Sequence, residues 1–115
     1  MKKINILLFL IVIVLSAFLR LYKLGQSPEG FYLDEAAIGY NAFSILKTGK
    51  DEFGKKWPLV FRSFGDFKAP VYSYLLVPVF AVLEPTVLLV RLPSAVAGIL
   101  TVICFYWLII KVLAP

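Results

Sequence analysis

The chain has 115 residues, of which 61% are hydrophobic, with a formal charge of +5 and a mean hydropathy of +0.89. Soluble proteins are roughly 45–50% apolar, so this composition indicates an integral membrane protein. The single cysteine, Cys104, excludes an internal disulfide, and the lack of histidine excludes histidine-based metal sites and triads. The lysines and arginines form no basic run, so we expect membrane lipids or a lipid phosphate as partners and no nucleic acid.

Three apolar runs predict an all-α membrane protein with three transmembrane helices, at about residues 4–20, 69–83 and 92–111. The first run also has features of a cleaved signal peptide, with Leu15-Ser16-Ala17 as a passable cleavage site. Because its apolar residues continue beyond that site, we expect a retained span. We expect residues 1–115 to be the N-terminal part of a longer multi-span protein.

The long first loop, residues 21–68, holds all but one of the acidic residues. From Asp34 onward, apolar residues recur at helical spacing, which predicts a short amphipathic helix along the membrane surface; they are Ile38, Ala42, Ile45 and Leu46. Aspartate is a favourable N-cap residue, and Glu35 in a first turn would complement the helix dipole. The acidic pair therefore has a structural explanation beside any catalytic one.

The side of the membrane that the loop faces is not settled by the charges. Lys2, Lys3 and Arg91 would all be cytoplasmic under the positive-inside rule, with Arg91 as an anchor at the entry to the third span. The loop, however, carries many lysines and arginines of its own, and the same rule would place these in the cytoplasm too.

Several short motifs occur in a characteristic order. They are a Pro-x-Gly turn, an acidic pair that opens a helix, a glycine-bounded turn, a lysine–proline entry to the second span and an Arg-Leu-Pro entry to the third, at residues 28–30, 34–35, 49–54, 68–72 and 91–95. In this order the chain resembles the N-terminal part of the GT-C glycosyltransferases that use a polyprenyl-phosphate sugar. This class includes protein O-mannosyltransferases, aminoarabinose transferases and lipopolysaccharide-core galacturonosyltransferases.

The resemblance implies a multi-pass protein of the cell membrane with an extracytoplasmic first loop. It also implies transfer of a sugar from a polyprenyl-phosphate carrier to a lipid, glycan or protein acceptor. The acid that the family carries in this loop corresponds to Asp34. Lys68-Ala69-Pro70 stands where the family has a Lys-Pro-Pro-like entry to the second span, with one proline replaced.

Glycosyl transfer needs a more nucleophilic acceptor oxygen and a stabilised leaving phosphate. We therefore expect Asp34 as the general base or acceptor-orienting acid, with Glu35 as its helper or as a metal ligand. For the donor phosphate we expect Lys68 as a ligand, with Arg62 as a second candidate, although snorkelling at the end of a span explains Lys68 equally well. A divalent cation is a further expectation, held by Asp34, Glu35 and Asp66. The alternative is a small non-enzymatic membrane protein whose loop and spans bind a partner subunit or lipid.

Overall fold

The structure is a computed structural model that describes residues 3–63 and 65–113, so Lys2 lies outside the described residues. The chain forms two compact units, one made of the residues up to Leu24 with those from Ser94 onward, the other of Gly25–Pro93. In chain order the elements are α1 (Lys3–Leu21), α2 (Leu33–Thr48), β1 (Phe61–Ser63), β2 (Asp66–Lys68), α3 (Val71–Val82) and α4 (Val87–Leu113).

In the first unit, α1 and the later part of α4 form an antiparallel pair. Near the start of α1, the hydroxyl of Tyr106 donates to the carbonyl of Asn5 at 2.7 Å, and its ring lies 4.7 Å from that of Phe9. Near the end of α1, Arg20 lies against Gly98. The chain therefore leaves α1 and re-enters this pair at the same end.

Both helices of this pair are long and apolar enough to cross a membrane. At about 1.5 Å per residue, α1 extends about 28 Å and α4 about 40 Å, against a hydrocarbon core of about 30 Å. In the most apolar 18-residue stretch of each helix, almost no residue is buried within the protein. A large apolar surface is unfavourable in water, so we expect lipid to surround these helices. These helices correspond to the predicted spans at 4–20 and 92–111.

The second unit has its core where α2 packs against α3 and the first turns of α4. Ala42 and Leu76 are fully buried there, together with Phe80, Leu89 and Val90. The apolar face predicted for α2 is therefore confirmed as a helical face. This face packs against α3 and the first turns of α4, whereas we expected it to lie along the membrane surface.

The predicted second span, residues 69–83, forms a helix that is too short to cross a membrane. α3 has 12 residues, which extend about 18 Å. The chain before α3 and the chain after it also return to one helical turn, because Lys68 contacts Asp34 and Arg91 contacts Glu35. The two ends of this segment therefore both lie next to the first turn of α2.

A small hairpin corrects the all-α prediction. β1 and β2 pair antiparallel, with Phe61 opposite Lys68 and Ser63 opposite Asp66. Phe61 and Ser63 are buried while Arg62 between them is exposed, which is the alternation expected of a strand with one covered face. Strands of three residues carry too little periodicity to be read from sequence. The hairpin matters because it positions both predicted phosphate ligands, Arg62 and Lys68.

Candidate functional site

The first turn of α2 presents the two acids that the sequence singled out. The N-cap is Tyr32 and the helix begins at Leu33, so Asp34 lies inside the first turn and is not the N-cap. Consecutive residues project about 100° apart on a helix. Asp34 and Glu35 accordingly take different partners.

Asp34 forms an ion pair with Lys68, the last residue of β2. The Nζ atom of Lys68 donates directly to Oδ1 of Asp34 across 34 positions of the chain. The side chain of Asp34 is 54% exposed and that of Lys68 is 29% exposed. The structure therefore brings together the predicted base and one predicted phosphate ligand at an accessible surface.

Glu35 is held by Arg91 in a two-pronged pair. Nε of Arg91 donates to Oε1 at 3.0 Å, and Nη2 donates to Oε2 at 2.9 Å. The same guanidinium donates to the carbonyls of Pro28 at 3.1 Å and Gly30 at 2.8 Å. Arg91 is only 7% exposed. It thus connects the turn before α2, the start of α2 and the start of α4.

The Arg91 hydrogen bonds lower the pKa of Glu35, and the backbone N–H of Tyr32 acts in the same direction against a partial opposing effect of burial. A carboxylate whose ionised form is stabilised in this way is a poor proton acceptor. Glu35 therefore fits a structural role, and the expected role as a catalytic helper has no geometric support, since its carboxylate is occupied by Arg91.

Arg91 lies beside the loop, whereas we expected it to be a cytoplasmic anchor. A cytoplasmic anchor would lie across the membrane from the loop, yet this guanidinium is bound to Glu35 and to loop carbonyls. Two sequence features are consistent with the Arg91–Glu35 contact: the Arg-Leu-Pro motif, and an acid at position 35 with no partner assigned to it from the sequence. Neither feature says which acid and which arginine meet.

Arg62 lies apart from the Asp34–Lys68 pair. It is exposed on β1, and its guanidinium lies over the ring of Phe53 at 5.5 Å from the centroid. With Tyr40, Glu52 and Phe53 it lines a cleft of about 530 Å³ between α2 and the hairpin. The two predicted phosphate ligands thus have different surroundings.

A buried amide that the sequence did not single out supports this cleft. Asn41 donates through Nδ2 to Oε1 of Glu52 at 3.1 Å and to the carbonyl of Ala37 at 2.9 Å, and its Oδ1 accepts the Glu52 N–H at 3.0 Å. Asn41 is buried. An asparagine inside a helical pattern gives little sequence signal, because its partner lies in a turn whose path the pattern does not predict.

The predicted metal site does not form. Over residues 3–63 and 65–113 there is no group of three or more acidic, histidine or cysteine side chains that could hold a metal ion. Asp34 pairs with Lys68 and Glu35 with Arg91, while Asp66 accepts the N–H of Phe67 at 2.7 Å. These three carboxylates do not fit the ligand set expected for a divalent cation.

Comparison of the chain with protein-family models, curated proteins and solved structures finds no match. The chemistry open to the site follows from its own groups. An exposed carboxylate can accept a proton from a hydroxyl, and a neighbouring ammonium can bind an anion as a point charge. Both groups belong to the unit Gly25–Pro93.

Proposed function

We propose that this chain is part of a membrane glycosyltransferase that moves a sugar from a polyprenyl-phosphate carrier to a lipid, glycan or protein acceptor. The observation that carries the proposal is the contact between Asp34 and Lys68. Two motifs separated by 34 positions, both singled out by the resemblance to GT-C enzymes, supply a base and a phosphate ligand at one point. A loop that only filled space would not require this meeting.

In the proposed reaction, the Asp34 carboxylate accepts the proton of the acceptor hydroxyl. The acceptor oxygen forms a bond to the anomeric carbon of the donor sugar. The bond between that carbon and the phosphate oxygen breaks, and its electron pair leaves with the polyprenyl phosphate. Lys68 stabilises the charge that develops on this phosphate.

The ion pair between Asp34 and Lys68 is the resting state of the proposed site before a donor binds. With no donor bound, Lys68 neutralises Asp34. An arriving phosphate competes for the ammonium, and the carboxylate released from it becomes available to the acceptor hydroxyl. Because both side chains are partly exposed, this exchange of partners requires no opening of a core.

In this proposal the protein is a multi-pass protein of the cell membrane. α1 and the part of α4 after Pro93 cross the bilayer, and residues 25–93 lie on the extracytoplasmic side, where lipid-linked sugars would be used. Lys3 and Lys111 then lie at the cytoplasmic ends of the two spans, in keeping with the positive-inside rule. Pairing of Lys68 and Arg91 with acids lowers the cost of placing loop cations outside.

The test is transfer of labelled sugar from a polyprenyl-phosphate donor by membranes that contain the full gene product. Asp34→Asn keeps the shape of the side chain but removes the base, and we expect transfer to fall by about 10²–10⁴-fold with unchanged protein abundance. Glu29→Gln, an exposed acid in the turn before α2, is the matched control and should leave transfer intact. Turnover retained in Asp34→Asn, or no transfer by the unmodified protein, would favour the non-enzymatic alternative.

A further inference from the structure

The cleft between α2 and the hairpin has the chemistry of a sugar-binding site. Its α2 wall contains the small residues Ala36 and Ala37, which leave space, and then the ring of Tyr40. Phe53 supplies a second ring from the turn that follows α2. Both side chains are more than half exposed, so each can contact a ligand. At about 530 Å³ the cleft falls within the range of about 300–1,000 Å³ typical of small-molecule sites.

Glu52 is fixed in this cleft rather than left to sample rotamers. Asn41 holds both its backbone N–H and its Oε1 atom, at 3.0 and 3.1 Å. The second carboxylate oxygen, Oε2, has no hydrogen-bond partner within the described part of the chain. A carboxylate with one oxygen anchored and the other available is pre-organised to accept hydrogen bonds from ligand hydroxyls.

Arg62 supplies donors on the opposite wall. Its guanidinium lies over the ring of Phe53, which restrains the plane of the group and leaves its N–H edges exposed. A neutral sugar ring suits this combination, because its hydroxyls can donate to Glu52 and accept from Arg62 while its apolar face packs on Tyr40 or Phe53.

The cleft is also within reach of the proposed base. Asp34 and Asn41 are seven positions apart on α2, so they lie on the same helical face and about 10 Å apart along the axis. Asn41 is hydrogen-bonded to Glu52 at one end of this ~10 Å stretch of α2, and Asp34 is paired with Lys68 at the other end. Leu33 lines the cleft and Asp34 follows it in the chain, so a donor whose sugar occupies the cleft has its phosphate within reach of the Asp34–Lys68 pair.

We propose that this cleft binds the sugar ring of the donor, with Glu52 and Arg62 as hydroxyl ligands and Asn41 as the residue that positions Glu52. This inference rests on the proposed glycosyl transfer. It assigns Arg62 to the sugar and leaves the phosphate to Lys68, which departs from the expectation drawn from the sequence.

Binding is tested first without turnover. The full chain is solubilised in lauryldimethylamine oxide, a detergent that contains no sugar. Binding of the methyl α-glycosides of glucose, mannose and galactose is then measured by saturation-transfer NMR. We expect at least one glycoside to bind, and Glu52→Gln to weaken it by roughly tenfold, since one charged acceptor is lost. Glu84→Gln, which lies outside the cleft, should bind as the unmodified chain does. Binding of none of the three, equal binding by Glu52→Gln, or displacement by inorganic phosphate would overturn the assignment.

Turnover then separates this inference from the proposed function. In the full gene product, Glu52→Gln and Asn41→Asp should raise KM for the donor with little change in kcat, since neither residue takes part in proton transfer. A rise in KM for the acceptor alone would overturn the donor assignment. If glycosides bind through Glu52 but no transfer is found, the sugar site stands and the transferase proposal fails. If Asp34→Asn abolishes transfer while Glu52→Gln leaves KM unchanged, the transferase proposal stands and the sugar site fails.

Discussion

At the scale of single residues, Arg91 organises more of the second unit than any acid in the loop. Its guanidinium satisfies a carboxylate and two backbone carbonyls at once, a geometry that the planar fork of arginine allows and a lysine ammonium does not. Because Arg91 is buried, its removal leaves the Glu35 carboxylate and the carbonyls of Pro28 and Gly30 without these donors.

We therefore predict that Arg91→Met destabilises residues 25–93 strongly and that Arg91→Lys has an intermediate effect. In thermal unfolding of the detergent-solubilised chain, the Met variant should lower Tm by roughly 5–10 °C. Lys56→Met, a change at an exposed lysine of the same unit, should shift Tm little. Equal Tm values for Arg91→Met and the unmodified chain would mean that the hydrogen bonds of Arg91 contribute nothing to stability.

The lowered pKa of Glu35 predicts how stability depends on pH. Its folded pKa lies below its unfolded value, so its contribution is complete above the unfolded pKa, about 4.3. The contribution is lost as the pH falls through the folded pKa. The difference in Tm between the unmodified chain and Glu35→Gln should be constant near neutral pH and should narrow below about pH 4. A difference that stays constant down to pH 3 would contradict this account.

Single residues also mark the limit of what sequence reasoning reached in the site. Asp34 and Lys68 were both singled out, because each begins or precedes a recognisable helix. Their contact was not predicted, since it depends on the path of the hairpin between them. Asn41 and Glu52 were missed because neither stands out chemically until the turn after α2 brings them together.

At the scale of elements, the apolar patterns predicted where the helices lie but not what covers them. α2, α3 and α4 all occur near their expected positions. α3 is apolar throughout, a property shared by a membrane span and by a helix buried in protein. α3 has only 12 residues and packs one face on the core, while Val71, Leu75 and Val82 are exposed. The contacts of Lys68 and Arg91 on either side show where its ends lead.

The pair formed by α1 and α4 gives a prediction at this scale. A Cβ at Gly98 would lie 2.5 Å from Nε of Arg20, and Nη1 of the same guanidinium donates to the hydroxyl of Ser16 at 2.7 Å. Gly98→Val should displace the Arg20 side chain from Ser16 and destabilise the pair by about 1 kcal/mol, since a flexible side chain can move aside. Ala97→Val, at an exposed neighbouring position, is the control for thermal unfolding in detergent. Equal unfolding temperatures for the two variants would show that the contact is not close.

At the scale of the whole molecule, the chain has a membrane part and a part that carries the candidate site. Two long apolar helices supply the first, and residues 25–93 supply the second with both ion pairs and the sugar-sized cleft. The composition alone indicated the membrane part. The division into two units followed from none of the sequence patterns, because the apolar character of α3 made it resemble a third span.

The central claim is that all of residues 25–93 face the extracytoplasmic side. It is tested by single cysteines placed in a Cys104→Ser background, at Lys55→Cys before α3, at Glu84→Cys after α3, and at Lys111→Cys near the end of α4. A membrane-impermeant maleimide added to intact cells should label the cysteines at 55 and 84 and should label the one at 111 only after permeabilisation. Labelling of position 84 only after permeabilisation would make α3 a span, and the same result at both 55 and 84 would place the proposed site in the cytoplasm.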